Sequence, residues 1–352
     1  MDKLYTLTKR WQEENLLLPL WIENRKIKLI DQIKLPFIEE VYTIETVEEL
    51  AKAIKDMTIR GSGAIGIAGA YGMLLAAINT KGDKTALKEA GKILKSTRPT
   101  AVNLMKTVDE IVDAIDNYNG SDMVSFVEDK TCEIIERQLS YEHKLGEYGA
   151  ELINDGDTIL THCHSGALAG AGFGGRALSV IRTAFNQGKK IHVFSSETRP
   201  YLQGARITCY ELEKWGIPHT LLTDGMSGYM MRLGKIQKVV VGSDRVAANG
   251  DLLNKVGTYM HALAAKANNV PFYTATSSHT IDFNLKNGME APVEFRNEKE
   301  VTHLNGHLIT EEVTRALYPS FDVTPNELIT GIITEKGVMR APFLESLAKI
   351  NK

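Results

Sequence analysis

Thr158-Ile159-Leu160-Thr161-His162-Cys163-His164-Ser165-Gly166 is an apolar run of strand length that ends on a thiol and passes into small, polar residues. A second run, Lys238-Val239-Val240-Val241-Gly242-Ser243-Asp244-Arg245, ends in the same way on a carboxylate. Between and after them lie apolar runs at 190–195, 219–223 and 271–276, separated by helical stretches. Strands alternating with helices predict βαβ units, a parallel sheet and right-handed crossovers. Ligands of such sheets bind beyond the carboxyl ends of the strands. Cys163 and Asp244, delivered there by different strands, are therefore the candidate catalytic pair.

Upstream the texture differs. Short β-type runs at 16–22, 26–30 and 41–44 are mixed with charges and turns. From Thr46 the pattern is helical, with Val47, Leu50, Ala51 and Ile54 on one face behind a Thr46/Glu49 capping box. Further helices are expected at 63–79, 84–97, 101–117 and 122–154, the last a bridge to a second domain. The division is an N-terminal domain, 1–145, mainly helical with short strands, and an α/β catalytic domain, 146–352. Near the end, Thr324-Pro325 predicts a helix start and 328–333 one more strand.

Composition excludes several classes of partner. The formal net charge is -3, with no basic tail and no aromatic–basic cluster, so nucleic acid is not an expected partner. No signal-peptide core and no apolar run of spanning length is legible, so no membrane association is expected. Three widely spaced cysteines, Cys132, Cys163 and Cys209, point to a reducing cytoplasm over a disulfide framework. Cys132 and Cys209 read as core.

Gly170-Ala171-Gly172-Phe173-Gly174-Gly175, with Glu197 downstream, matches the dinucleotide fingerprint and raises an NAD-dependent dehydrogenase as an alternative. The fingerprint should open directly from its strand, yet six residues separate Cys163 from Gly170. A helix packed closely on the sheet is the expectation instead. His162-Cys163-His164 suggests a metal site, but alternate side chains of a strand face opposite ways, and no C-x-x-C or H-E-x-x-H accompanies it. No cofactor and no metal are expected.

Anion-binding candidates are more numerous. Arg60-Gly61-Ser62-Gly63 precedes a small-residue helix, so free amides and a guanidinium meet at one helix start. Arg98-Pro99-Thr100 sits before another helix. After Asp244, the residues Arg245, Asn249, Asp251, Asn254 and Lys255 form a polar loop before an apolar helix, where Lys255 and the helix amides suit a phosphate. Glu197-Thr198-Arg199-Pro200 and Gln203-Gly204 follow the second strand at the ligand edge.

Six segments together resemble the methylthioribose-1-phosphate isomerase family: IRGSGAIGIAGAYG (59–72), RPTAVNL (98–104), THCHSGALA (161–169), ETRPYLQGARIT (197–208), VVGSDRVAANGD with NKVGTY (240–259), and FDVTPNELITGIITEKG (321–337). The resemblance runs from about residue 21 to 337 and keeps its order. The wider superfamily also contains ribose-1,5-bisphosphate isomerases and regulatory subunits of the initiation-factor exchange factor. The resemblance implies a Rossmann-like C-terminal domain, a homodimer, and conversion of a 5-substituted ribose 1-phosphate to the ribulose 1-phosphate without a cofactor, in methionine salvage. By motif, Cys163 and Asp244 match its catalytic pair. Arg60, Gly61, Ser62, Arg98, Gln203, Asn254 and Lys255 match its substrate-binding positions.

That chemistry suits the residue types. Phosphate on O1 blocks the opening of a free hemiacetal, so the ring C–O bond must break with acid help from Asp244. Keeping that acid protonated near neutrality takes a pKa roughly 3 units above its ordinary value, about 4 kcal/mol from an apolar pocket. Cys163 as thiolate then moves a proton from C2 towards C1, or assists a hydride shift; both routes remain open. Two departures from the family touch the expected pocket. Ser62-Gly63 stands where the family usually has Ala-Pro, and His164-Ser165 where it usually has Asn-Ala. They leave the C5 substituent open between methylthio and hydrogen, that is, a 5-deoxyribose 1-phosphate isomerase. A regulatory subunit that senses a sugar phosphate without turning it over is the non-enzymatic alternative; a ribose-1,5-bisphosphate isomerase is the neighbouring enzymatic one.

Overall fold

The computed structural model describes residues 2–24, 26–98 and 101–351. Its main sheet has seven strands, ordered from one edge Gly337–Met339, Gly331–Thr334, Phe272–Ala275, Lys238–Val241, Thr158–Thr161, His192–Ser196 and His219–Leu222. Every neighbouring pair is parallel except the last hairpin, 331–334 with 337–339. The central strands of the sheet are buried on both faces, which explains why they read as continuous apolar runs. Alternation divides them: Ile159, Val193, Val240 and Ile333 join one core cluster, while Leu160, Val239, Val241 and Ile332 join the other.

The chain order across this sheet fixes where a site belongs. From Thr158–Thr161 the chain steps to 192–196 and 219–222 on one side, then returns to 238–241 on the other. The order reverses between Thr158–Thr161 and Lys238–Val241. This is the switch point of a Rossmann-like sheet, where diverging loops leave a crevice.

The sequence places six of these strands within a few residues, missing Gly337–Met339, and other elements less well. A four-stranded sheet, Ile281–Asp282, Arg245–Ala247, Leu252–Lys255 and Phe321–Thr324, occupies what reads as a polar loop and a helix start. Thr324-Pro325 leads only into the short turn Asn326–Leu328. Residues Asp2–Glu13 form a helix, where no helix was expected. Its buried residues, Leu4, Thr8 and Trp11, include a threonine, so the apolar stripe is too thin to read.

By contact the chain divides into two compact units. One is the chain up to Glu142 together with Gly166–Gly175; the other is His143–Ser165 with the chain from Arg176 onward. The first division falls inside the long helix Met123–Ala150. The first unit holds the antiparallel sheet Leu20–Glu23, Lys26–Ile30, Val41–Ile44 and the expected helices, including Val47–Lys55 with its Thr46/Glu49 capping box. Its central helix, Ser62–Asn79, is long and apolar enough by composition to span a membrane, against the expectation of no apolar run of that length. Here Gly63 to Ala77 are all buried in protein, and Leu94, Leu104 and Val108 lie against its small-residue surface. Pro99 and Thr100, in the expected Arg98 segment, lie outside the described residues.

Gly170–Gly175 is not a helix on the sheet. It is a turn of the first unit wrapped around the buried Glu142 carboxylate, which accepts from the amides of Ala171 (2.5 Å), Phe173 (3.1 Å), Gly174 (3.2 Å) and Gly175 (3.1 Å). A glycine-rich amide cradle of this kind suits a phosphate, but here a side chain of the protein fills it. That removes the physical basis of the dinucleotide reading. Glu142→Ala strands four buried donors at once, and each unsatisfied group costs about 1–3 kcal/mol. Urea unfolding should therefore show a loss of at least about 3 kcal/mol, against a smaller loss for Glu142→Gln. A fully stable Glu142→Ala protein would show that the cradle carries no weight.

Candidate active site

Cys163 follows Thr158–Thr161 by two residues, and Asp244 follows Lys238–Val241 by three. Those strands pair Ile159 with Lys238 and Leu160 with Val239. Continued three positions, this register sets Cys163 level with Gly242, two residues before Asp244. A Cβ on Gly242 would lie 2.2 Å from Ser165 Oγ, so the two strand-end loops are packed directly on each other. Thiol and carboxylate thus leave neighbouring strands on opposite sides of the switch point.

Cys163 is half-buried, and its backbone is left-handed at φ 68°. For a side-chain-bearing residue this costs about 1–3 kcal/mol and persists only where neighbours impose it. Thr198 Oγ1 accepts from the Cys163 amide at 2.8 Å, and Thr208 Oγ1 donates to its carbonyl at 2.9 Å. Gln203 Nε2 donates to Sγ at 3.1 Å, and the buried Gln203 Oε1 has no hydrogen-bond partner among the described residues. The amide therefore holds the thiol with one end and offers an unused polar atom with the other.

Asp244 is exposed, which corrects the expectation of an apolar pocket around it. Its amide donates to Leu253 O at 2.9 Å, and the 245–253 register sets it opposite Asn254 in the hairpin. Asn254 and Lys255 lie in a buried strand, where a loop was expected. Asn254 Nδ2 donates to Thr258 Oγ1 (3.0 Å) and Lys255 Nζ to Ser320 O (2.7 Å), with the ammonium 4.7 Å from the centre of the Phe321 ring. The Tyr318 hydroxyl is 3.5 Å from Lys255 Nζ, and burial raises its pKa against the pull of Arg296.

The start of the helix Thr258–Ala267 is not free for a phosphate. Asp322 accepts from the amides of Gly257 (2.7 Å) and Tyr259 (3.2 Å). The start of Ser62–Asn79 differs: Gly61, at φ 96°, provides no side-chain cap. A Cβ there would fall 2.4 Å from Ala169 Cα, so only glycine allows this approach to the 167–169 turn. Arg60 and Arg98 are both half-buried, and Asn103 Nδ2 donates to Ser62 Oγ at 2.8 Å. The histidines flanking Cys163 go to separate partners, His164 to Glu211 at 2.8 Å and His162 to His261 at 3.1 Å. Cys132 is buried, as expected, while Cys209 is only partly so.

Comparison with known proteins agrees with this geometry. The pattern of the Initiation factor 2 subunit family matches residues 58–341. A methylthioribose-1-phosphate isomerase from Thermosipho africanus is 46% identical over 99% of both chains. The chain belongs to this family, in its methylthioribose-1-phosphate isomerase branch. It is an enzyme of the aldose–ketose isomerase class. Among solved structures, 5-methylthioribose 1-phosphate isomerase from Pyrococcus horikoshii OT3 superimposes with a TM-score of 0.91 at 35% identity, covering 96% of each chain. Translation initiation factor eIF-2B, subunit delta, from A. fulgidus gives a TM-score of 0.88 at 39% identity, covering 95% of this chain and 99% of that one.

Burial pushes the Asp322 carboxyl up to about 6, against the pull of the amides it caps. With the folded value above the ordinary one, its contribution to stability is full below about pH 4 and is lost as the pH rises through about 6. Asp322→Asn lacks this titration. Its stability deficit relative to the parent should shrink between pH 4 and pH 7 in urea unfolding, and a constant or growing deficit would contradict the burial argument.

Proposed function

We propose that the chain converts 5-methylthioribose 1-phosphate to 5-methylthioribulose 1-phosphate, with Asp244 and Cys163 as its acid and base. The observation that carries this reading is their placement on the two strands that flank the switch point. The isomerase relatives support the substrate. Asp244 protonates the ring oxygen as the bond from that oxygen to C1 breaks. The Cys163 thiolate takes the proton from C2, leaving an enol between C1 and C2. That proton is returned to C1, and the O2 hydroxyl gives up its own proton to Asp244, forming the ketone and regenerating the acid. A hydride shift from C2 to C1 is the competing route.

Bound substrate favours the neutral acid at the exposed Asp244, by covering the carboxyl and by placing a phosphate dianion near it, since a neighbouring like charge disfavours ionisation. The resemblance assigns substrate binding to Arg60, Gly61, Ser62, Arg98, Gln203, Asn254 and Lys255. The uncapped start of Ser62–Asn79 supports the first three, and the unpartnered Gln203 oxygen suits a sugar hydroxyl. The buried Lys255, already bound to Ser320 O, serves as a fixed positive charge. We further propose a cytoplasmic homodimer. Leu221, Met226, Tyr229, Leu233, Met260 and Leu263 are exposed on the edge strand 219–222 and the nearby 224–233 and 258–267 segments, and suit a second copy. Light scattering of Tyr229→Asp should show a monomer; an unchanged dimer would rule out this face.

Cys163→Ser and Asp244→Asn should each stay folded and lose at least about a hundredfold in turnover. Near-normal turnover in either would remove that residue from the mechanism. Side-by-side assay of 5-methylthioribose 1-phosphate, 5-deoxyribose 1-phosphate and ribose 1,5-bisphosphate tests the substrate. The first two should lie within about two hundredfold, since a small apolar substituent discriminates by only about 1–3 kcal/mol. A higher specificity constant for the bisphosphate would overturn the assignment, and binding without turnover of any of the three would favour a sugar-phosphate sensor.

A further inference from the structure

Directly behind Cys163 lies a buried polar cluster that the proposed reaction does not use. His162, one residue before the thiol, is 1% exposed, and His261 is 0% exposed. His162 Nε2 lies 3.0 Å from Val256 O, a carbonyl that can only accept, so this nitrogen carries the proton. His162 Nδ1 is then an acceptor, and His261 Nε2, 3.1 Å away, donates to it. That leaves His261 Nδ1 to accept from Ser227 Oγ at 2.8 Å. One assignment of protons thus satisfies both rings as neutral imidazoles. Burial agrees: it holds both rings below their ordinary pKa, His261 well below.

A second arm runs parallel to the first. Asp224 accepts from the Ser196 hydroxyl and from the amides of Thr198 (2.9 Å) and Arg199 (2.8 Å). Thr198 is itself left-handed, at φ 64°, and its hydroxyl oxygen accepts from the Cys163 amide. The imidazole arm fixes the residue before the thiol, and the carboxylate arm fixes the group that holds its backbone.

His162, Asp224 and His261 bring ligand atoms within 4.8 Å of one another, a donor set suited to zinc. Their lone pairs are already engaged, however. His162 Nδ1 takes the His261 proton, and Asp224 takes three donors. An ion would have to displace a complete hydrogen-bond network. We propose that Ser227, His261, His162 and Asp224 are positioning residues, which lock the left-handed backbone of Cys163 and so aim its thiol. The proposal rests on the reading of Cys163 as the catalytic base.

The test uses the full-length enzyme assayed with 5-methylthioribose 1-phosphate. His261→Leu removes the donor to His162. It should lower kcat by about ten- to hundredfold with KM within about twofold, the signature of a misplaced reacting group. His261→Gln, which can still donate, should recover much of that loss. Should His261→Leu not fold, Ser227→Ala cuts only the outer link, and its kcat should fall by about threefold or more. A folded His261→Leu (or Ser227→Ala in its place) with parental kcat, beside an inactive Cys163→Ser, overturns the proposal alone; an active Cys163→Ser overturns the underlying reading. One equivalent of zinc retained through purification, with activity lost on chelation and restored by zinc, would overturn it in favour of a metal site.

Discussion

The parallel pairing of Thr158–Thr161 with Lys238–Val241 is the constraint from which the rest follows. At its lower end the pair is pinned by polar contacts. Lys238 and Asp157 form a buried ion pair at 3.0 Å, and Thr158 and Gln237 bond reciprocally, the Thr158 amide to Gln237 Oε1 and the Gln237 amide to Thr158 O, each at 2.9 Å. A slip by one residue would separate that ion pair and exchange the two core clusters that the strands serve. With register fixed there, the upper ends are fixed too. The crossovers leave in opposite directions, and the loops bearing Cys163 and Asp244 must part.

Amide clusters tell a parallel story about charge. Several among the described residues have the form of an anion site, and three of them are the glycine-rich turn 170–175, the start of Thr258–Ala267 and the start of Ser62–Asn79. Glu142 fills the first and Asp322 caps the second. The third lacks a side-chain cap and follows Arg60 in the chain, and the start of Val102–Asn117, which follows the Arg98 segment, lacks one too. The protein's own carboxylates thus occupy the two sites that the sequence makes most conspicuous. This supports Arg60, Gly61 and Ser62 as phosphate ligands over the Lys255 helix start.

Six strands of the main sheet were legible as apolar runs bounded by turn residues, and the central ones most clearly, because burial on both faces leaves the run uninterrupted. The capping box at Thr46 was legible because it is local. Elements held by distant partners were not. Asp2–Glu13 shows too thin a stripe, and Leu252–Lys255 hides its strand behind Asn254 and Lys255, whose polar groups are satisfied by Thr258 and Ser320. The same distinction governs the site. Strand ends expose Cys163 and Asp244 to a reader of the sequence. Thr198, Thr208, Asp224 and His261, which surround the thiol and its loop, come from 35 to 98 residues away in the chain and carry no local signal. The left-handed backbone of Cys163, and the exposure of Asp244, are likewise products of the fold alone.

The central claim is that the thiol at the switch point does the chemistry. Site-resolved alkylation tests it most directly. Iodoacetamide is titrated into the enzyme, modification of Cys132, Cys163 and Cys209 is followed by peptide mass spectrometry, and residual turnover of 5-methylthioribose 1-phosphate is measured alongside. The account predicts that activity falls in proportion to modification of Cys163, and that saturating substrate or product slows that modification. Enzyme fully alkylated at Cys163 that still turns over at the parental rate would contradict it.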